Sequence, residues 1–379
     1  VKFLKEIVQG IDWWLLGPAL LISAFGLITM KSFSGALDVY FNRQLIWLVI
    51  SVLFFIIVSR FDITSIRRTN SIFLLYGIVA LTLGGVLIFG DTLKGARSWF
   101  DLGLFSFQPV ELAKLTLILL LAKFFAKRHV EIARIRHLIV SGLYVGLYVG
   151  LTLLQPDFGS AMVLVSIWFG LVLVSGISKK HLAILFCTGI LVFSGAWVGV
   201  FKEYQKQRIL TFINPTRDIR GSGYNAYQSM IAVGSGQLFG KGVGYGTQSR
   251  LRFLPEYQTD FIFAAYAEEW GFIGVLTLLA SFALLLLRAV QTASQASSNF
   301  ESFLCIGIWA TFFVHIMVNI GMNIGLLPVT GITVPFLSYG GTSLLVSYFS
   351  LAIISGISFR ARKNRRIPRE VPLDAVYSR

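Results

Sequence analysis

The chain has 379 residues, of which 55% are hydrophobic and only 13% charged, and its mean hydropathy is +0.75. Soluble domains carry about 25% charged residues, so this balance excludes an ordinary soluble domain and points to lipid. The net charge of +15 does not signal nucleic acid, because Lys and Arg fall in short clusters between apolar runs, as membrane proteins distribute them.

Ten apolar runs are long enough to cross a hydrocarbon core of about 30 Å. In chain order they lie near residues 13–30, 44–59, 71–90, 110–126, 138–155, 159–176, 181–201, 261–288, 302–326 and 335–357. The alternation of a membrane barrel is absent, which leaves an all-α polytopic bundle of about ten transmembrane helices, read as one domain over residues 1–379. No cleavable signal peptide is expected ahead of the first run, which is itself long enough to span.

With the N-terminus inside, the inside loops hold "RFDITSIRR", "KRHVEIARIRH", "SKK" and the tail "RARKNRR". The outside loops are poor in Lys and Arg, so both termini are expected in the cytoplasm. The basic tail, about 358–379, is expected against anionic headgroups. One outside loop, about 202–259, is far longer than a connector needs and is therefore a candidate for function. Two of its segments, "EYQKQRILTFINP" and "GYNAYQSMIAVGSG", read as short interfacial helices. In the fifth run "GLYVGLYVGL" sets Gly142, Gly146 and Gly150 four apart, the spacing of a close helix-packing face.

Ionisable residues inside spans are costly unless paired or hydrated, which makes each a functional candidate. In "FQPVELAKL" Glu111 suits the positive end of a helix that Pro109 begins, and Lys114 falls on the same face. The pair is either an internal ion pair or a buried cation for an anionic ligand. Asp157 in "LQPDFGS" suits a helix cap. Glu268 and Glu269 lie about 12 Å along the helix that begins near Asp260, at 1.5 Å per residue. Their expected surroundings are a water-filled cavity, Lys114 or a loop arginine. His315, Asn319 and Asn323 form a polar stripe at i, i+4 and i+8, suited to interhelical hydrogen bonds.

The piece "GSGQLFGKGVGYG" is not a nucleotide-binding loop: its glycine spacing is short, and Gly242 follows Lys241 where Ser or Thr would hold magnesium. It reads as a flexible wall whose amides and Lys241 are available to a phosphate. "LPEYQTDFIF" places Asp260 at the lip of the eighth run, as a cap or as a group for chemistry. The preceding loop supplies Arg208, Arg217, Arg220, Lys241, Arg250 and Arg252. An acid among cations at a membrane surface suits a lipid-linked anionic substrate. Two cysteines, Cys187 and Cys305, and four scattered histidines offer neither a disulfide framework nor metal-ligand spacing.

These motifs carry a resemblance. The stretches "KGARSWFDLGLFSFQPVELAK", "LLQPDFGSA", "AYQSMIAVGSG", "GTQSRLRFLPEYQTDFIFAAYAEEWGF" and "GLLPVTGITVPFLSYGGTSLL" are similar, in this order, to the SEDS family of bacterial cell-wall polymerases. "GKGVGYGTQS" resembles the elongation branch more than the septal one. The resemblance implies a peptidoglycan glycosyltransferase that polymerises lipid II at the outer face of the cytoplasmic membrane. It makes Asp260 the required acid and sets Trp99 beside Arg97. Glu111 with Lys114 becomes the family's buried pair, and Asp157 its "QPD" acid. Tyr257 and Gln258 stand where the family more often has a basic residue, so one cation near Asp260 is missing.

On this basis Asp260 is the expected base. Trp99, Arg97, Glu111, Lys114, Asp157, Arg208, Lys241 and Glu268 are the expected substrate-binding set. Activation of Asp260 requires burial or a divalent cation, magnesium or manganese, shared with pyrophosphate oxygens, since the sequence has no dedicated metal cage. The implied partners are a class B penicillin-binding protein, the elongation machinery and membrane lipids. The rival expectation is a flippase of a lipid-linked precursor, which a ten-helix bundle with a polar interior also suits.

Overall fold

The computed structural model describes residues 10–32, 39–62, 69–93, 96–101, 103, 106–128, 135–199, 201–214, 223–251, 253–254 and 256–366. Arg217, Arg220 and Arg252 lie outside the described residues.

Ten long helices fall on the ten apolar runs: α1 (Trp13–Ser32), α2 (Val39–Val58), α3 (Thr69–Phe89), α4 (Pro109–Arg128), α5 (Ile135–Leu154), α6 (Phe158–Val174), α7 (Lys179–Gly199), then, beyond three shorter ones, α11 (Ile262–Gln295), α12 (Asn299–Asn323) and α13 (Gly341–Arg366). Eight of them are long and apolar enough to cross a membrane by length and composition. The two others are α6, apolar but 17 residues long, and α4, which carries Glu111 and Lys114. Exposed large apolar side chains such as Leu81, Phe89, Leu191 and Val198 cover the outside of the bundle, as a lipid solvent requires. The protein is a multi-pass membrane protein.

Local sequence explains the ends. Pro109 opens α4, where its missing N–H costs nothing. Ser298 caps α12 by accepting from the Glu301 amide at 3.4 Å, and Glu301 reaches back to the Ser297 amide at 3.2 Å. The tenth run is displaced: α13 begins at Gly341, because Pro328 and Pro335 keep the preceding stretch out of helix. It runs on into the basic tail, where Arg360 pairs with Glu301 at 3.3 Å and Arg362 lies 3.7 Å from Asp12. These two arginines are thus drawn into ion pairs of the fold, and only the rest of the tail is left for headgroups.

The core is where α12 and α4 meet α6, α11 and α13; α1 packs on α11, and α2 on α13. None of the 21 residues of α7 is buried, so it stands at the rim. In α5 the packed face is Ser141, Val145, Tyr148 and Thr152. Gly142 packs toward Trp168 of α6, where a Cβ would lie 3.6 Å from the ring, but a side chain at Gly146 or Gly150 would meet nothing within 4 Å, so the packing face expected of the three glycines holds at the first alone.

Two regions add structure that periodicity did not predict in full. Between α3 and α4 lies a small antiparallel sheet, β1 (Asp91–Leu93), β2 (Ala96–Asp101) and β3 (Ser106–Phe107), in the order β1-β2-β3. The long loop holds α8 (Glu203–Ile213), α9 (Tyr224–Ser235) and the single turn α10 (Thr247–Arg250). α8 and α9 coincide with the two segments predicted as helices.

The last element to note is α11, which is two helices. Gly271, at φ 65° and ψ −165°, interrupts it, leaving a short helix, 262–270, and a membrane-length one, 272–295. A break frees backbone donors and acceptors, which lipid cannot satisfy. Here the glycine-rich loop does so. Phe272 and Ile273 amides donate to the Gln237 and Leu238 carbonyls at 2.8 and 3.2 Å. The Lys241 and Gly242 amides donate to the Glu268 and Glu269 carbonyls at 2.9 and 3.0 Å. Gly240, at φ 79°, tolerates this approach because a Cβ there would lie 2.0 Å from the Glu269 carbonyl oxygen. The loop is therefore a clamp rather than a flexible wall, and these amides are not available to a phosphate.

Candidate active site

Asp260 lies in the turn 256–261 that leads into α11. The N-cap of α11 is Phe261, so Asp260 stands one residue outside the cap position. Its turn is fixed from two sides. The Asp260 carbonyl accepts from the side-chain amides of Asn319 at 2.9 Å and Asn323 at 3.2 Å, both fully buried on α12. Ser338 donates to the Thr259 carbonyl at 2.8 Å, and the Tyr339 amide to the Gln258 carbonyl at 2.8 Å. The carboxylate faces Gly331: a Cβ there would lie 3.6 Å from Oδ2. Asn319 also donates to the Ile332 carbonyl at 2.6 Å. One face of α12 thus holds both the Asp260 turn and the stretch opposite its carboxylate.

The same face carries His315 one turn earlier. Its Nδ1 donates to the Thr333 carbonyl at 2.9 Å, which leaves Nε2 to accept from the Lys114 ammonium at 3.1 Å. Lys114 also donates to Glu111 at 2.8 Å, and all three residues are buried. A small pocket opens beside them, lined by Thr311, Ser343, Ser347 and Ser350 and by apolar side chains such as Ile118, Ile308 and Phe312. Lys114 is thus an internal ion pair and a neighbour of a pocket with mainly apolar walls at once.

A second pocket lies between α8, the α5–α6 turn and the stretch before Gly331. Arg208 and Gln205 are its polar walls, and Pro156, Phe158, Phe201, Ile209, Pro328 and Val329 its apolar ones. Thr330 completes it, one residue from the glycine that faces Asp260. Asp157, next to Pro156, caps α6: it accepts from the Ser160 amide at 3.0 Å and the Ser160 hydroxyl at 2.7 Å. Gln108 donates to it at 3.4 Å, which ties the start of α4 to the start of α6.

Glu268 and Lys241 form a third group. Glu268 is fully buried and accepts from Lys241 at 2.7 Å, from the Thr247 amide at 2.8 Å and from the Thr247 hydroxyl at 3.0 Å. Its partner is neither Lys114 nor a loop arginine, and it faces packed loop rather than an open cavity. Glu269 accepts from the Gly244 amide at 2.6 Å. Both acids therefore hold the clamp on the broken helix. Arg97 and Trp99 lie on β2, with a register shift between them, and Arg97 donates to the Leu87 carbonyl at 3.1 Å. Arg250 is exposed.

The structure thus joins Asp260 to the Arg208 pocket through residues 330–331, and Glu111–Lys114 to His315. The stretch 331–338 and the histidine were not in the expected set. The i, i+4, i+8 stripe was the signal for His315; nothing in periodicity marks the stretch. Among the described residues no group of three or more His, Cys, Asp or Glu could hold a metal ion.

Comparison with known proteins supplies the lineage. The family described as "Cell cycle protein", FtsW/RodA/SpoVE, matches residues 7–363. The peptidoglycan glycosyltransferase MrdB of Escherichia coli is 38% identical over 283 residues, 75% of this chain and 76% of that one. Stage V sporulation protein E of Bacillus subtilis is 36% identical over 354 residues, 90% of this chain and 95% of its own. Among solved structures, a chain of a peptidoglycan synthase complex that coordinates polymerization and crosslinking superposes with a TM-score of 0.79 at 32% identity, covering 93% of this chain and 98% of that one. The rod shape determining protein RodA of Thermus thermophilus gives 0.69 at 31% identity, covering 92% and 96%. The family match over most of the chain, the identity to these relatives and the shared fold lead to one conclusion: the chain belongs to the FtsW/RodA/SpoVE family of membrane proteins.

Proposed function

We propose that this chain is a peptidoglycan glycosyltransferase that polymerises lipid II into β-1,4 glycan strands during cell elongation. The relatives that bear that activity in their names support the reaction class. The basic inside loops support a cytoplasmic-membrane orientation with both termini in the cytoplasm and Asp260 on the outer face. The observation that carries the assignment is the Asp260 turn, anchored through its main chain by α12 and by the stretch 338–339, with its carboxylate facing Gly331, the neighbour of Thr330 in the Arg208 pocket.

The chemistry follows from inversion. The 4-hydroxyl of the acceptor sugar attacks the anomeric carbon of the donor as the bond to the lipid pyrophosphate breaks. Asp260 takes the hydroxyl proton, and the departing pyrophosphate carries the bonding electrons with it. Asp260 must be held within hydrogen-bond reach of that hydroxyl, which a doubly anchored main chain favours. Arg208 offers a guanidinium to the pyrophosphate, and the apolar walls of its pocket suit the first prenyl units. Lys241 does not share that role, because its ammonium is taken by Glu268. A membrane transpeptidase of the class B penicillin-binding type is the proposed partner, which would crosslink the strands.

The flippase alternative would use Glu111 and Lys114 as translocation groups. Their closed network with His315 argues for a fixed element instead.

The test is purified protein, alone and with its transpeptidase partner, supplied with fluorescent lipid II. Glycan chains are expected from the wild type and none from Asp260→Asn, with equal melting temperatures. Equal products from both would end the assignment of Asp260. No product from either, with an active partner and intact folding, would overturn the polymerase reading.

A further inference from the structure

The glycine-rich loop has more order than a phosphate-binding wall needs, and its side chains point the wrong way for one. Leu238, Phe239, Val243 and Tyr245 are 60%, 78%, 43% and 69% exposed. The single charge between Gly236 and Gly246 is Lys241, and it is paired with buried Glu268. The main chain at the Gly236–Gly240 turn is bonded internally, and the Gln237, Leu238, Lys241 and Gly242 main-chain groups are bonded to the broken α11. An irregular segment with its charge paired and these main-chain groups bonded suits membrane depth better than an open loop does.

Two markers set its height. α1 has 20 residues, about 30 Å of helix, the thickness of the hydrocarbon core. A Cβ on Gly244 would lie 3.9 Å from the carbonyl oxygen of Ser32, the last residue of α1. The membrane-length part of α11 begins at Phe272, which receives the Gln237 carbonyl. Phe272, Ile273 and Leu276 are themselves about half exposed. Leu238 and Phe239 therefore stand next to the lipid-facing start of α11, with exposed Gln237 the polar residue that precedes them. A soluble domain seated on this tip would have to cover the lipid-facing start of α11 as well.

We infer that the glycine-rich loop is inserted in the bilayer: its tip, Leu238, Phe239, Val243 and Tyr245, packs among lipid chains of the leaflet on Asp260's side. The inference rests on the membrane fold and not on the proposed activity. The clamp that repairs α11 thereby doubles as an anchor that sets the depth of the short helix, 262–270, which leads from Asp260.

The test is spin labelling of the full chain in phosphatidylethanolamine–phosphatidylglycerol vesicles. A nitroxide is placed at Phe239→Cys or Tyr245→Cys in a Cys187→Ser, Cys305→Ala background, with Glu203→Cys on exposed α8 as reference; melting curves select the variants that fold. Collisions with dissolved oxygen, which partitions into lipid, are compared with collisions with a water-soluble nickel chelate. Oxygen is expected to dominate at 239 and 245, and the chelate at 203, so that the ratio inverts between the sites. Chelate dominance at 239 and 245 would overturn the inference, and so would shielding from both probes, which would mean that protein covers the tip. Polymerase activity plays no part in the readout, so failure here and failure of the proposed function are separable.

Discussion

Lys114 shows how far a single residue constrains this site. It lies in lipid-depth helix yet is charged, and its two partners, Glu111 and His315, are as buried as itself. Removing the cation alone leaves a carboxylate stranded, which costs about 3–5 kcal/mol for a buried pair. Lys114→Met is therefore expected to lower the melting temperature sharply, while Glu111→Leu with Lys114→Met recovers much of the loss. A double variant as unstable as the single one would show that the pair is not the unit. Asn319 makes the complementary case. Asn319→Leu takes the donor from the Ile332 carbonyl and leaves the Asp260 carbonyl with Asn323 alone, at about 1–3 kcal/mol for an unsatisfied buried group. Turnover is expected to fall more than lipid II affinity, because the main chain of Asp260 is displaced rather than a substrate contact removed. Unchanged turnover in a folded variant would contradict that.

Among elements, α11 carries the most information. An unbroken helix of its 34 residues would be about 51 Å long, and Gly271 divides it. Gly271→Ala places a Cβ about where the Gly240 amide nitrogen sits, 2.1 Å away, at a positive φ that itself costs about 1–3 kcal/mol. A lower melting temperature and faster proteolysis within 237–247 are expected; protease resistance equal to wild type would mean that the loop does not depend on the break. This break also marks the limit of what the sequence disclosed. The ten helices were legible because apolar length is a direct consequence of bilayer thickness, and so were α8 and α9. The role of Asp157 as a cap was legible in "QPD" for the same local reason. The partners of Glu268 and Glu269 were not, because pairing with Lys241 depends on a chain reversal that no periodicity encodes. The anchoring of Asp260 was half legible: the stripe on α12 was visible, its targets were main-chain carbonyls and hence invisible.

Across the whole molecule, polar networks sit at both ends of the bundle. Opposite the site, Asp12, 1% exposed, accepts from Arg288 at 2.7 Å and from Ser358 at 2.6 Å, and its own amide donates to Ser355 at 3.1 Å. This joins the start of α1 to the late turns of α11 and α13. Asp12→Asn is expected to lower stability clearly, because the Arg288 guanidinium is mostly buried and loses its counter-charge. Lys206→Met removes a pair with Glu203 at 3.6 Å, whose acid is 82% exposed, and is expected to change stability by no more than about 1 kcal/mol. Thermal melting of both variants in one detergent checks the contrast; equal shifts would remove the Asp12 network from the stability of the bundle.

The anchoring of Asp260 has a consequence for the order in which the protein is made. The clamp on α11 precedes it in the chain, so the helix can break correctly as soon as it is synthesised. Asn319, Asn323, Gly331 and Ser338 all follow. A nascent chain that has integrated everything up to α11 therefore holds its acid on an unfastened turn, and the site is finished only when the last two spans arrive.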